Sequence, residues 1–286
     1  MTRMERKPAS PPSSPDGATP GETRITHTSL LRCGMAAEES RVYWENARPG
    51  TPGPSLAQAA FEERWFGGKS MVRIQYLLHV FMLRFDAFPT ALEVLHRWRV
   101  PDPVARQNIC HWHLQLTDPL YRAFTSDFLA RRRAHPEPTV DRNVTARWLE
   151  QQLDREWASA TTLRMATALV SCAAESGFCT PGVGPRPLKL PRVSDDALAY
   201  LLYLLRGISF EGTVLQNPYL QSLGLVGELL EQRLQRTPGI THHRMLNLHD
   251  LQFHHPSLGA WATQELHLPE SVDASGPIPG AEGGIS

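Results

Sequence analysis

Met71, Ile74, Leu77, Leu78, Phe81, Met82 and Phe85 recur at three- and four-residue spacing. Such a run lays its apolar side chains along one stripe of an α-helix, whereas a half-buried strand needs strict alternation. The same pattern repeats downstream. A helix starting at Pro89 turns Leu92, Leu95 and Trp98 inward, and after Asp118 another face is built by Leu120, Phe124 and Phe128. Two starts read Asp-Pro, at Asp102-Pro103 and Asp118-Pro119. The aspartate caps free amides, and the proline suits the first turn, where its missing N–H has no helical partner to lose. Residues 60–135 therefore read as a bundle of four helices with short connections.

"HPEP" near residue 136 breaks the chain, and a new unit is expected after it. A short helix from Val144 to Leu153 and a longer one from Ser159 to Gly177 form a helix–turn–helix, the glycine suiting a left-handed C-terminal cap. "RPLKLPRV", bounded by prolines, is expected as a β-wing rather than a core strand. Ser194 then caps "DDALAYLLYLLRG", with Leu198, Leu201, Leu202 and Leu205 on its stripe. "NPYLQSLGLVGELLEQRL" supplies two more helical pieces, and "ITHHRMLNLHDLQFHH" one or two strands. The helix–helix–strand order thus occurs twice, over 141–192 and 194–255, without a repeat in the sequence itself. The expected fold class is mainly α. An N-terminal helical bundle (60–135) precedes a helix–turn–helix or winged-helix-like unit (138–192). A C-terminal helical unit (193–268), read as a second winged helix, completes it, both units carrying short β-wings.

The flanks read differently. Residues 1–57 hold eight prolines with many Ser and Gly, a composition expected to stay disordered because it buries too little apolar surface. Met35 is an alternative start within that segment. Residues 269–286 read as a second disordered tail. No apolar run approaches the roughly 20 residues of a bilayer span, and the N-terminus lacks a signal-like apolar segment. Cys33, Cys110, Cys172 and Cys179 show no CxxC spacing. A reduced, cytoplasmic setting without membrane contact is the expectation.

"ICHWHLQLTDPLY", from Ile109 to Tyr121, carries the densest reactive chemistry. On a helix Cys110 and His113 share a face, while His111 lies about 200° from His113, so the two histidines cannot chelate together. A metal on Cys110 and His113 would need two further ligands, and a Cys–His catalytic pair would need an orienting third group. Burial in a helix contact, with the histidines hydrogen-bonded, is the expected reading. His242, His243, His249, His254 and His255 are expected as solvated loop residues, because adjacent histidines diverge in helix or strand. GxxxxGK followed by Ser or Thr, GxGxxG, GxSxG and HExxH are all absent. "WFGGKS" lacks the earlier glycine of a phosphate loop and the strand before it. No catalytic residue, metal or cofactor is expected.

Charge is more informative. The chain carries 29 basic and 29 acidic side chains, yet residues 120–192 hold 11 basic against 7 acidic, and residues 193–286 hold 4 against 10. The basic stretch coincides with the helix–turn–helix, whose second helix reads "SATTLRMATALVSCAAESG". Leu163, Ala166, Leu169 or Val170, and Ala173 are expected inward. Thr161, Thr162 and Arg164 crowd its first turn, where such helices meet base edges. Arg131, Arg132, Arg133, Arg142 and Arg147 upstream, and Arg186, Lys189 and Arg192 in the wing, are suited to flanking phosphates. Double-stranded DNA is the expected partner. Thr161, Thr162 and Arg164 are the groove candidates, and Arg142, Arg147, Lys189 and Arg192 the backbone candidates. The competing expectation is a protein–protein adaptor whose acidic C-terminal part and helical bundle dock other complex members, and a remote third is a metal-dependent enzyme using Cys110 and His113.

"RWFGGKS", "FPTALEVLHRW", "ICHWHLQLTDPLYRAFTSDFL", "ARWLEQQLDREWASATTLRMATALVSCAAESGF" and "PRVSDDALAYLLYLL" together resemble the BrxA family of the BREX bacteriophage-exclusion systems. The resemblance spans residues 60–260 in order of elements, with no single diagnostic motif. It implies a largely α-helical, non-enzymatic DNA-binding accessory protein. The implied partners are other defence components, including a methyltransferase and a phosphatase-like protein. It supplies no site residues, and the Pro-rich N-terminus departs from the family's pattern.

Overall fold

Two helices of this chain are buried on every side, and that fixes their place. From Asn108 to Leu116 in α5 (Pro103–Thr117), and from Ala197 to Leu205 in α10 (Asp195–Arg206), every residue is buried. The middle of α10 has no polar face and has to be enclosed by others, whereas α5 carries Asn108, His111, His113 and Gln115, which find hydrogen-bond partners inside. The computed structural model describes residues 19–48, 51–152, 157–245 and 248–270. It is mainly helical, with strands only as short antiparallel pairs. Buried apolar side chains from Leu30 to Ala262 join in one cluster around α5 and α10.

Around this axis lie α1 (Ala37–Asn46), α2 (Gly53–Glu62), α3 (Met71–Phe81) and α4 (Pro89–Trp98). The apolar stripe that begins in α3 continues through a π-helical turn, Met82–Asp86. A second long helix is built the same way, from α6 (Pro119–Ala123), a π turn over Phe124–Phe128, and α7 (Leu129–Arg133). Both Asp-Pro starts cap as expected. Asp102 accepts from the amides of Val104 and Ala105 at 3.0 and 3.1 Å, and Asp118 from that of Tyr121 at 2.9 Å.

The expectation of a disordered segment over 1–57 is corrected for its described part. Tyr43 and Trp44 in α1, with Leu30, Cys33 and Met35 before it, belong to the core. The buried guanidinium of Arg84 donates to the carbonyls of Met35 at 2.7 Å and Gly34 at 3.1 Å. Farther upstream, Tyr219 donates to the Glu22 carboxylate at 2.5 Å, and His27 donates to the Thr117 carbonyl at 2.8 Å. Long-range partners thus order a stretch whose composition alone could not. Residues 1–18 and 271–286, where the rest of both tails was expected, lie outside the described residues.

After α7 come β1 (Thr139–Val140), α8 (Arg142–Gln152), α9 (Ser159–Glu175) and β2 (Arg186–Pro187). β2 pairs antiparallel with β1, and Leu188 bridges to Cys179 on its other side. The segment after α10 holds α11 (Pro218–Ser222), α12 (Gly227–Leu234), a hairpin of β3 (Ile240–Met245) and β4 (Leu248–Phe253), and α13 (Leu258–Glu265).

Candidate nucleic-acid interface

Asp141 starts α8 by accepting from the amides of Asn143 at 2.7 Å and Val144 at 2.9 Å. The inner face of α8 is Thr145, Ala146, Trp148 and Leu149, and Arg142 and Arg147 stand exposed on the outside. Trp148 packs against the rings of both Phe124 and Phe128, with centroids 5.5 and 5.1 Å away. This aromatic cluster fixes α8 against the long helix ending in α7.

α9 packs through Thr162, Met165, Ala166, Leu169, Val170, Cys172 and Ala173. Two corrections follow. Thr162, expected in a groove, is only 3% exposed, and Leu163, expected inward, is 38% exposed. The outward stripe is Ala160, Leu163, Arg164, Thr167 and Ser171, with Thr161 half-buried beside it. The helix closes at Gly177, whose φ of +83° is left-handed. The amides of Gly177 and Phe178 then bond back to Ala174 and Ala173 at 3.0 and 2.8 Å, a glycine-capped C-terminus.

The chain next runs through Phe178 and Cys179, out along residues 180–185, and back through Arg186 to Leu188. Leu188 and Lys189 donate to the carbonyls of Pro138 and Phe178 at 2.7 and 2.8 Å. Three short segments thus lie side by side in the order 139–140, 186–188, 178–179. Val183, at the tip of the turn, is wholly exposed.

The basic side chains divide into two groups. Arg131, Arg132, His135 and Arg147 line one open cleft of about 370 Å³ between α7 and α8, with Phe128 and Trp148 in its wall. Within it, Arg132 donates twice to the Thr139 carbonyl, at 2.9 and 3.1 Å, so its charge is held in place. Arg131 pairs with Asp127 at 2.5 Å. Lys189 and Arg192 are exposed but do not line this cleft. Arg133 leaves the candidate surface: its guanidinium lies over the Phe178 ring and donates to the Ser222 carbonyl at 3.2 Å, and burial pulls its pKa down. His135 and Trp148 were not foreseen. "HPEP" reads as a chain break, while Arg131 and Arg132 just before it are among the expected phosphate contacts.

The Cys110–His113 stretch lies in the core. His111 contacts the hydroxyls of Tyr121 at 2.9 Å and Ser222 at 3.0 Å, and His113 contacts the Arg84 carbonyl at 3.1 Å and the Tyr200 hydroxyl at 2.7 Å. Burial lowers both imidazoles to about 3 and pushes the Cys110 thiol up to about 12. None of the three is exposed, so this stretch offers no surface for a substrate. Among the described residues, no group of three or more His, Cys, Asp or Glu is arranged to hold a metal. No described helix is long and apolar enough to cross a membrane.

No family model and no curated protein matches the sequence. Among solved structures, an uncharacterized protein from Magnetospirillum magneticum is similar, with a TM-score of 0.51 and 18% identity. The match covers 64% of this chain and 98% of that one. At that identity the likeness is one of fold.

Proposed function

We propose that this chain is a non-enzymatic, cytoplasmic double-stranded DNA-binding protein that serves as an accessory component of a BREX-like anti-phage system. The observation that carries the DNA-binding part is the alignment of α8, α9 and the three short segments. A helix pair followed by a small antiparallel ribbon is the order of a winged helix, in which the second helix approaches the major groove. The outward stripe of α9 is slender enough for close approach, and Thr161, Arg164, Thr167 and Ser171 supply hydrogen-bonding groups. Arg147, with Arg131, Arg132 and His135 in the same cleft, suits a flanking phosphate, as do Arg142, Lys189 and Arg192. Thr162 has no part in this surface. The defence assignment rests on the resemblance of the sequence to the BrxA family, whose implied partners are a methyltransferase and a phosphatase-like protein.

The test is fluorescence anisotropy with a labelled duplex of about 30 base pairs at two salt concentrations. Binding should weaken steeply with salt, with a log–log slope of about −0.9 per phosphate contacted. Arg147→Glu with Arg164→Glu should lower affinity by tenfold or more and flatten that slope. No binding at low salt would end the DNA reading.

One observation favours an adaptor as the second reading. Val226 and Leu229, at the start of α12, are 54% and 44% exposed within the acid-rich C-terminal part. Co-purification with other defence components that survives nuclease treatment would support it.

A further inference from the structure

His242 pairs with Leu251 and Arg244 with His249 across the β3–β4 hairpin. Alternate residues of a strand share a face, so His242 and His249 are diagonal neighbours on one side of the ribbon. Nε2 of His242 lies 3.1 Å from Nδ1 of His249. The ring centroids are 5.3 Å apart and the planes differ by 15°. That separation is about as large as the N···N contact and two ring radii permit. The two nitrogens therefore face each other along the line between the rings, edge to edge. His249 is exposed and His242 half-buried, so both are within reach of solvent.

We propose that His242 and His249 form a bidentate imidazole chelate for a borderline divalent cation such as Cu²⁺, Ni²⁺ or Zn²⁺, with water in the remaining positions. Metal–imidazole bonds of about 2.0–2.1 Å meeting at angles between square and tetrahedral require an N···N distance of roughly 2.8–3.4 Å. The hairpin already holds the pair at that bite. To bind, each ring turns by roughly 40° so that its lone pair leaves the N···N line, and the ring that carries the hydrogen between them exchanges it through water for one on its other nitrogen, so that both imidazoles bind as neutral ligands.

The surroundings set the strength of the site. Glu231 of α12 is engaged by Arg244 on the same face at 3.1 Å, which leaves the two imidazoles as the chelating pair. With no third ligand arranged among the described residues, the ion should be exchangeable, and Cu²⁺ should outcompete Ni²⁺ and Zn²⁺. Residues 240–253 lie outside the α8–α9 unit, so this inference does not depend on DNA binding.

Untagged full-length protein titrated calorimetrically with CuCl₂ provides the test, with electron paramagnetic resonance of the loaded sample. The expected result is one Cu²⁺ per chain with a two-nitrogen signature, weakened about tenfold or more by His242→Gln and by His249→Gln. His254→Gln, which instead disturbs a contact with Thr241 at 2.6 Å, should leave it unchanged. Circular dichroism confirms that each variant is folded. No stoichiometric uptake, or uptake indifferent to both His242→Gln and His249→Gln, overturns the proposal.

Discussion

The imidazole of His113 meets the hydroxyl of Tyr200 at 2.7 Å, joining α5 to α10 across 87 residues of sequence inside the core. Its other nitrogen faces the Arg84 carbonyl, which can only accept. Nδ1 therefore carries the hydrogen and Nε2 accepts from Tyr200. This neutral tautomer satisfies both ring nitrogens, and a second proton would leave Nε2 with no acceptor but a hydroxyl.

A pH dependence follows. Above about pH 6.5 both His111 and His113 are neutral whether the chain is folded or unfolded, and neither adds pH dependence. Below that, the unfolded chain takes up protons that the folded one resists down to about 3. Stability should fall across this window by about 1.4 kcal/mol per pH unit for each imidazole. Asp86, Asp118 and Glu175, whose carboxyls are raised by burial, act in the opposite direction. Comparison with His113→Gln separates the two effects. The stability gap between wild type and variant should shrink by about 2 kcal/mol from pH 7 to pH 5 in urea denaturation. A constant gap would contradict the buried neutral imidazole.

The two Asp-Pro caps should answer differently to substitution. Asp102→Ala removes a cap at the surface and should cost about 1 kcal/mol, while Asp102→Asn should keep most of it. At Asp118 one oxygen caps α6, and the other has no hydrogen bond and lies 3.6 Å from His27 Nδ1. Burial is the largest influence on this carboxyl and raises its pKa, so the charge itself works against folding at neutral pH. Asp118→Asn keeps the cap without the charge and should hold or raise the thermal midpoint at pH 7, whereas Asp118→Ala should lower it.

Neighbours on α9 provide a third contrast. Thr162→Arg would bury a charge without a partner and should destabilise by about 3 kcal/mol or more. Leu163→Arg changes an exposed position and should leave stability within about 0.5 kcal/mol. On the proposed DNA-facing stripe, that same arginine should tighten duplex binding. If Leu163→Arg unfolds the protein, the assignment of faces is wrong.

What the sequence discloses depends on how local the cause is. The caps at Asp102 and Asp118 act on amides two or three residues away, so their signature lies in a few letters. The inner face of α9 is harder to read, because its packing rests on Ala166, Cys172 and Ala173, whose contrast with threonine is small. Leu163, the first leucine of the helix, then draws the stripe toward itself, although Met165, Leu169 and Val170 lie on the buried side. The histidines from 242 to 255 read as loop because the pairing of His242 with His249 needs the register of a hairpin. The cationic cleft has a similar origin, since Arg131 and Arg147 approach only once Trp148 is seated against Phe128.

The N-terminal segment offers the sharpest separation of the two views. Composition over 1–57 argues for disorder, whereas Trp44 is wholly buried and meets Phe85 edge to face at 5.4 Å. Were the segment outside the fold, Trp44→Ala would be silent. Packed as it is, the substitution should cost about 3–5 kcal/mol through lost contacts and the cavity left behind. A chain beginning at Met35 would keep Trp44 but lose Leu30, Cys33 and the Glu22–Tyr219 bond, and with them the cover over Arg84 and α11. Its urea midpoint should fall below that of the full chain. Equal midpoints would mean that residues 19–34 rest on the core without contributing to it.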